Sequence, residues 1–204
     1  MTTKELLQFY IEIDELKKSI RFKSAPKIRD SSSDHSWKVG LMAIHLAEKL
    51  KIENLDINKA TMIALIHDLP EYLEGDIDSF LIRTGEASSK QKTETEEKAM
   101  KSIAKKYSFG EEIHNIWKEY ELKETREAKY ISAIDKLETL SHMIAEELIT
   151  NNGDLGLLHS ATYADKSVKN FPELKPLLKE IKENMKIIAK KQGHNWKPEY
   201  ENFP

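Results

Sequence analysis

Apolar residues recur at three- and four-residue spacing along most of this chain, and strict alternation never lasts more than a few residues. The first pattern marks helices that bury one face; the second would mark strands. Residues 4–19 set Leu6, Leu7, Tyr10, Ile13 and Leu16 on one stripe and predict a first helix. The stretch RFKSAPKIRDSSSD, residues 21–34, is polar, contains Pro26 and ends in a serine run, so it reads as a loop. Ser33 or Asp34 then caps a helix carrying His35, Val39, Met42 and Leu46. The most apolar helix is expected over 58–69, with Pro70 interrupting the path and Gly75 marking a turn. Further helices are expected over 88–107, 109–120 and 124–150, the last with Ile131, Ile134, Leu137, Leu140 and Ile144 as its seam and NNGDLG as its close. A final helix is expected over 172–191, followed by an extended tail. No repeat or linker breaks the pattern. The expectation is an all-α chain forming one domain over 1–204, a bundle of about nine or ten helices, with a motif-bearing core over about 5–150 and a helical extension over 151–204.

Composition narrows the function. A chain of 204 residues can enclose a core and a buried site. The net charge of −3 offers no basic excess, so no nucleic-acid polymer is expected as partner. Cysteine is absent, which excludes disulfides, thiolate ligands and a cysteine nucleophile. No apolar run approaches the ~18 residues of a membrane span. The first residues carry acids inside their apolar pattern and do not read as a signal peptide, so no membrane and a cytoplasmic location are expected.

Four side chains carry the chemistry: His35, His67, Asp68 and Asp135. Without thiolates, a divalent transition metal takes imidazole nitrogen and carboxylate oxygen. His67 and Asp68 stand together late in the apolar segment ATMIALIHDL, and Asp135 lies beside the apolar seam in YISAIDKLETL. A buried carboxylate costs several kcal/mol without a cation partner. Singly, each residue has a plainer reading: a capped His–Asp pair, an Asp135–Lys136 surface pair, a surface histidine. The case rests on their joint occurrence in the order H…HD…D on separate helical segments. His45, ten residues after His35, falls on the other side of its helix. His142 is two turns beyond Asp135 and reads as structural; Trp37, Trp117 and Trp196 read as packing residues. The run Glu94, Glu96, Glu97, offset by Lys90, Lys92 and Lys98, reads as a solvated face.

That order resembles the HD-domain superfamily, and more closely its branch of bacterial 5′-deoxynucleotidases and their relatives. The resemblance rests on DHSWKVGLMAIHLAE (34–48), ALIHDLPEYLEGDI (64–77), KQKTETEEKAM (90–100) and AIDKLE (133–138), and covers about residues 5–150. It implies a phosphohydrolase acting on nucleotides, releasing phosphate from (deoxy)nucleoside 5′-monophosphates. Alternatives are a (deoxy)nucleoside triphosphate hydrolase and a catalytically idle nucleotide-binding module. It implies His35, His67, Asp68 and Asp135 as ligands of one divalent ion (Mn²⁺, Co²⁺, Fe²⁺ or Zn²⁺), which lowers the pKa of water and polarises a phosphoryl group. It also implies Glu71 and Asp76 as the catalytic acids flanking the substrate. An Arg–Trp pair of the branch falls at Arg21–Phe22, where phenylalanine keeps an aromatic wall without the indole donor; this argues against strict 2′-deoxy selectivity. Arg21, Lys27 and Arg29 are the phosphate-binding candidates. Relatives of this kind are often dimers, so a homodimer is among the expectations.

Overall fold

Several helices begin where a short polar side chain holds their first free amides. Thr2 forms a reciprocal capping box with Glu5 at α1, Thr3–Glu12. Ser31, rather than the expected Ser33 or Asp34, caps α2, Ser32–Lys49; its hydroxyl accepts from the Asp34 amide, and Ser33 and Asp34 fall in the first turn. Asp56 caps α3, Ile57–Ile66. Ser88 caps α6, Ser89–Lys106, and Thr125 caps α8, Arg126–Ala145. Between α3 and α6 lie the single turn α4, Glu71–Glu74, and α5, Ser79–Thr84. α7, Gly110–Leu122, precedes α8. The chain ends with α9, Gly153–Thr162, the single turn α10, Asp165–Val168, and α11, Lys175–Lys191. The computed structural model describes residues 1–23, 30–149 and 153–202. Among them there is no strand, and nine of the α-helices exceed a single turn. The all-α expectation holds.

The helix α8 runs through the middle, packed by α2, α3, α7 and α11. Being surrounded, it buries consecutive residues, Tyr130–Ile134 and 137–140, rather than the narrow seam its spacing suggests. The principal core joins Val39, Ala43, Ile63, Ile131, Ile134 and Leu137 to Leu178, Met185 and Tyr200, so the C-terminal helices share the core of α2, α3 and α8. A second cluster of Phe9, Leu69, Met100, Ile103, Tyr107 and Trp117 seats α1 and α6 on α7. At Gly110 the α6 backbone comes so close that a Cβ would lie 2.2 Å from the Ile103 carbonyl oxygen, which fixes glycine there.

Several sequence expectations are corrected. The first helix stops at Glu12, and Ile13–Lys18 is a 3₁₀ turn. The tail is not simply extended: Pro198–Glu201 forms a 3₁₀ turn, Trp196 and Tyr200 are buried, and the Lys182 ammonium donates to the Tyr200 carbonyl at 2.9 Å. The Asp154, Leu155 and Gly156 of NNGDLG belong to α9 rather than to a turn. Trp37 does not pack: it is 64% exposed, because α2 uses Ser36, Val39, Gly40 and Ala43 inward and carries Trp37, Leu41 and Ile44 outward. Among the described residues no helix is long and apolar enough to cross a membrane.

Candidate metal centre

Three elements meet below one cavity. On α2, His35 follows the Ser31 cap by one turn and is buried. At the end of α3 the His67 amide still bonds the Ile63 carbonyl, after which Pro70 diverts the chain and turns the His–Asp pair toward α2 and α8. On α8, Asp135 and Glu138 are one turn apart and share a face.

The four expected side chains converge. His35 Nε2 lies 3.3 Å from Asp135 Oδ1 and 3.6 Å from Asp68 Oδ2. His67 Nε2 lies 3.3 Å from Asp68 Oδ2. One ligand atom each from His35, His67 and Asp135 fits within 4.8 Å of the others. Both imidazoles are held in the tautomer that a cation requires. His67 Nδ1 faces the Ala64 carbonyl at 2.8 Å, and a carbonyl only accepts, so Nδ1 carries the hydrogen and Nε2 presents its lone pair. His35 Nδ1 is bonded in the same way to the Glu138 carboxylate. His67 Nε2 is buried yet makes no hydrogen bond to any protein group. Buried polar atoms are rarely left so. Such a donor set of imidazoles and carboxylates fits a divalent metal ion.

The electrostatics agree. Among the described residues, seven carboxylates line the cavity of about 210 Å³ against the four cations Arg21, Lys92, Lys123 and Lys136. Burial opposes protonation of His67, but Asp68 and Asp135 override it and lift the imidazole to about 9. Burial likewise disfavours ionised Asp68, yet His67 and His35 hold it below the usual carboxylate range. Glu71, buried and facing Asp68 and Asp76, is pushed well above that range, and burial raises Asp76 as well. The site thus gathers protons where it has no other cation to balance its acids.

Glu71 and Asp76 both line the cavity. The Ser32 hydroxyl donates to Glu71, and Lys92 Nζ stands 3.9 Å from it. Gly75, at φ 75°, makes the turn that carries Asp76 inward, and Lys23 Nζ donates to the Asp76 carbonyl at 2.8 Å. Arg21 is brought to the cavity but its guanidinium is already engaged, donating to Asp30 Oδ2 at 2.7 Å and Thr139 Oγ1 at 2.9 Å. Phe22 lines the cavity at φ 53°, stacked on His142 with centroids 5.5 Å apart. Lys27 and Arg29 lie outside the described residues. His45 is exposed, as its helical position implies.

Sequence reasoning missed several cavity residues. Lys92 and Glu96 are not part of a solvated face: they line the cavity, 3.5 Å apart. Their spacing to Ala99, Met100 and Ile103 places all five on one stripe of α6, which was the available signal. Burial raises the Glu96 carboxyl to about 7. Glu138, three residues after Asp135, was legible the same way. It is 1% exposed and also meets Lys38 Nζ at 3.0 Å. Tyr120, whose hydroxyl donates to Asp135 Oδ2 at 3.0 Å, and Tyr163 come from segments with no motif.

Comparison with known proteins places this arrangement. The HD domain family matches residues 13–184. The chain is 32% identical over 158 residues to 5′-deoxynucleotidase HDDC2 of Danio rerio, covering 76% of this chain and 73% of that protein. It is 28% identical to HDDC2 of Homo sapiens, covering 87% of this chain and 85% of that one. Among solved structures, a protein of Magnetospirillum magnetotacticum MS-1 described as a predicted metal-dependent phosphohydrolase superposes with a TM-score of 0.72 at 24% identity, covering 95% of both chains. That last likeness concerns the fold.

Proposed function

The chain belongs to the HD-domain family, and from that premise we propose that it is a metal-dependent phosphohydrolase that releases phosphate from (deoxy)nucleoside 5′-monophosphates. One observation carries the reading. Two buried imidazoles, each tied back through Nδ1, aim Nε2 at the Asp68 carboxylate on the floor of an acid-lined cavity, and that of His35 also meets Asp135.

In this reading His35, His67, Asp68 and Asp135 hold one divalent ion. When bound, such an ion lowers the pKa of water and withdraws charge from a phosphoryl oxygen. Glu71 and Asp76 divide the proton transfers. One takes a proton from the attacking water as its oxygen bonds to phosphorus, and the other returns a proton to the ester oxygen as the P–O bond breaks. Lys92 and Ser32 keep Glu71 in place, and Arg21, braced by Asp30 and Thr139, puts a fixed positive charge on the cavity wall.

A panel of nucleoside mono-, di- and triphosphates, each with Mn²⁺, Co²⁺, Fe²⁺ and Zn²⁺, tests the activity by product analysis. Inorganic phosphate from monophosphates is the expected result. Triphosphate or pyrophosphate as the product, or no turnover with any pair, contradicts it. We also place a homodimer contact on the outer face of α2 and α3. There Trp37, Leu41, Ile44, Met62 and Leu65, each between 44% and 64% exposed, leave large apolar side chains uncovered on two helices that pack together.

A further inference from the structure

The two imidazoles of the centre are held in different ways. His67 Nδ1 bonds the carbonyl of Ala64, three residues back, so its own helix end sets it. His35 Nδ1 instead reaches across the core to Glu138 on α8, 103 positions along the chain. The placement of His35 therefore depends on a side chain of another helix.

Glu138 is buried, and its two oxygens are divided. Oε2 accepts from His35 Nδ1, with Arg21 Nη1 at 3.5 Å. Oε1 meets Lys38 Nζ at 3.0 Å. Arg21 does not account for this carboxylate, because Asp30 already neutralises it at 2.7 Å and Thr139 accepts from it at 2.9 Å. Lys38 does not account for it either, since its side chain is 34% exposed and water can solvate it. The His35 side chain is 1% exposed and has no such recourse. A buried carboxylate is costly to keep, and here the partner that requires it is the ring.

The opposite edge of that ring makes the bond consequential. His35 Nε2 lies 3.3 Å from Asp135 Oδ1 and 3.6 Å from Asp68 Oδ2. A neutral imidazole has one N–H. The two cavity carboxylates draw that hydrogen toward Nε2, where it would remove the lone pair a cation needs. Glu138 draws it the other way, to Nδ1. We propose that Glu138 is a positioning residue: it selects the cation-binding tautomer of His35 against the pull of Asp135 and Asp68, and it fixes the ring. This rests on the metal-centre reading given above. α8 then serves the centre from both sides, with Asp135 in front of Nε2 and Glu138, one turn on, behind Nδ1. His67, tied to its own helix, is outside this control.

The test measures metal affinity rather than turnover. Metal-free wild type, Glu138→Gln, Glu138→Leu and Lys38→Met are titrated with Mn²⁺ and with Zn²⁺, and the melting temperature of each metal-free protein is recorded. The glutamine oxygen still accepts from Nδ1 but carries no charge, so Kd is expected to rise roughly tenfold; leucine accepts nothing, and the rise is roughly 100-fold. Lys38→Met removes a partner from the other oxygen and leaves Kd unchanged. If the leucine variant does not fold, the glutamine variant decides alone. Wild-type Kd in every folded Glu138 variant, with or without a lower melting temperature, overturns the inference and leaves the metal centre standing. A rise in Lys38→Met equal to that in Glu138→Gln also overturns it, because the effect would then follow the ion pairs and not the ring. Wild-type protein that binds neither ion overturns the metal-centre reading and this inference together.

Discussion

At the scale of residues, the centre depends on which side chains hold a cation and which handle protons, and two substitutions separate them. Asp68→Ala removes a carboxylate that faces both Nε2 atoms and is expected to abolish metal retention after dialysis. Glu71→Ala should keep the metal and lower turnover by two to four orders of magnitude, about what loss of a general acid or base costs. Elemental analysis of the two variants decides this, and loss of metal from the Glu71 variant would show that the ligand set is misplaced. The four converging side chains were legible in the sequence through their joint occurrence in the order H…HD…D on separate helical segments; singly each had a plainer reading. Glu138 and Lys92 were harder. Their spacing to buried neighbours was the available signal, but charged residues are common on helices, and the packing of α8 and α6 is what makes these two internal. Tyr163 carried no local signal, because it lines a cavity whose other walls come from distant segments.

At the scale of elements, punctuation was readable, since Gly75 and Pro70 act where their chemistry dictates, but the cap of α2 fell two residues earlier than expected, at Ser31. What misled was tertiary context. The first helix was expected to continue to residue 19, but the chain tightens into a 3₁₀ turn after Glu12, where α1 meets the C-terminal end of α6. That junction is joined by Glu12, which accepts from Lys106 Nζ and from the Tyr107 hydroxyl, both at 2.6 Å. The Lys106 and Tyr107 hydrogen bonds hold the Glu12 carboxyl down at about 2, from an ordinary 4.5. The sign follows from the depression. The stabilisation is fully present above pH 4.5 and is lost as pH falls toward 2. Because Glu12 is partly exposed, its contribution is about 1 kcal/mol. Glu12→Gln is therefore expected to lower the melting temperature by about 2–4 °C at neutral pH. The gap to wild type should close between pH 4.5 and 2. A gap that stays constant through that interval would mean the ion pair contributes nothing.

At the scale of the whole molecule, one core extends from α2 to the 3₁₀ turn at Pro198–Glu201, and the cavity draws on both ends of the chain. The C-terminal helices therefore brace α8, the helix that carries Asp135; in the sequence, 151–204 read only as a helical extension, with no sign that it shares this core. The outer face of α2 and α3 is where a second copy is proposed to dock. Trp37→Glu places a charge at its most exposed ring and is expected to convert the dimer to a monomer in light scattering with the melting profile preserved. A wild-type protein that is monomeric at high concentration would dismiss that contact. The central claim is that distant segments cage one cation. Anomalous diffraction from crystals grown with Mn²⁺ addresses it directly. The account predicts a single peak bounded by Nε2 of His35 and His67 and by the carboxylates of Asp68 and Asp135. A peak elsewhere, or none at that position in metal-replete crystals, would contradict it.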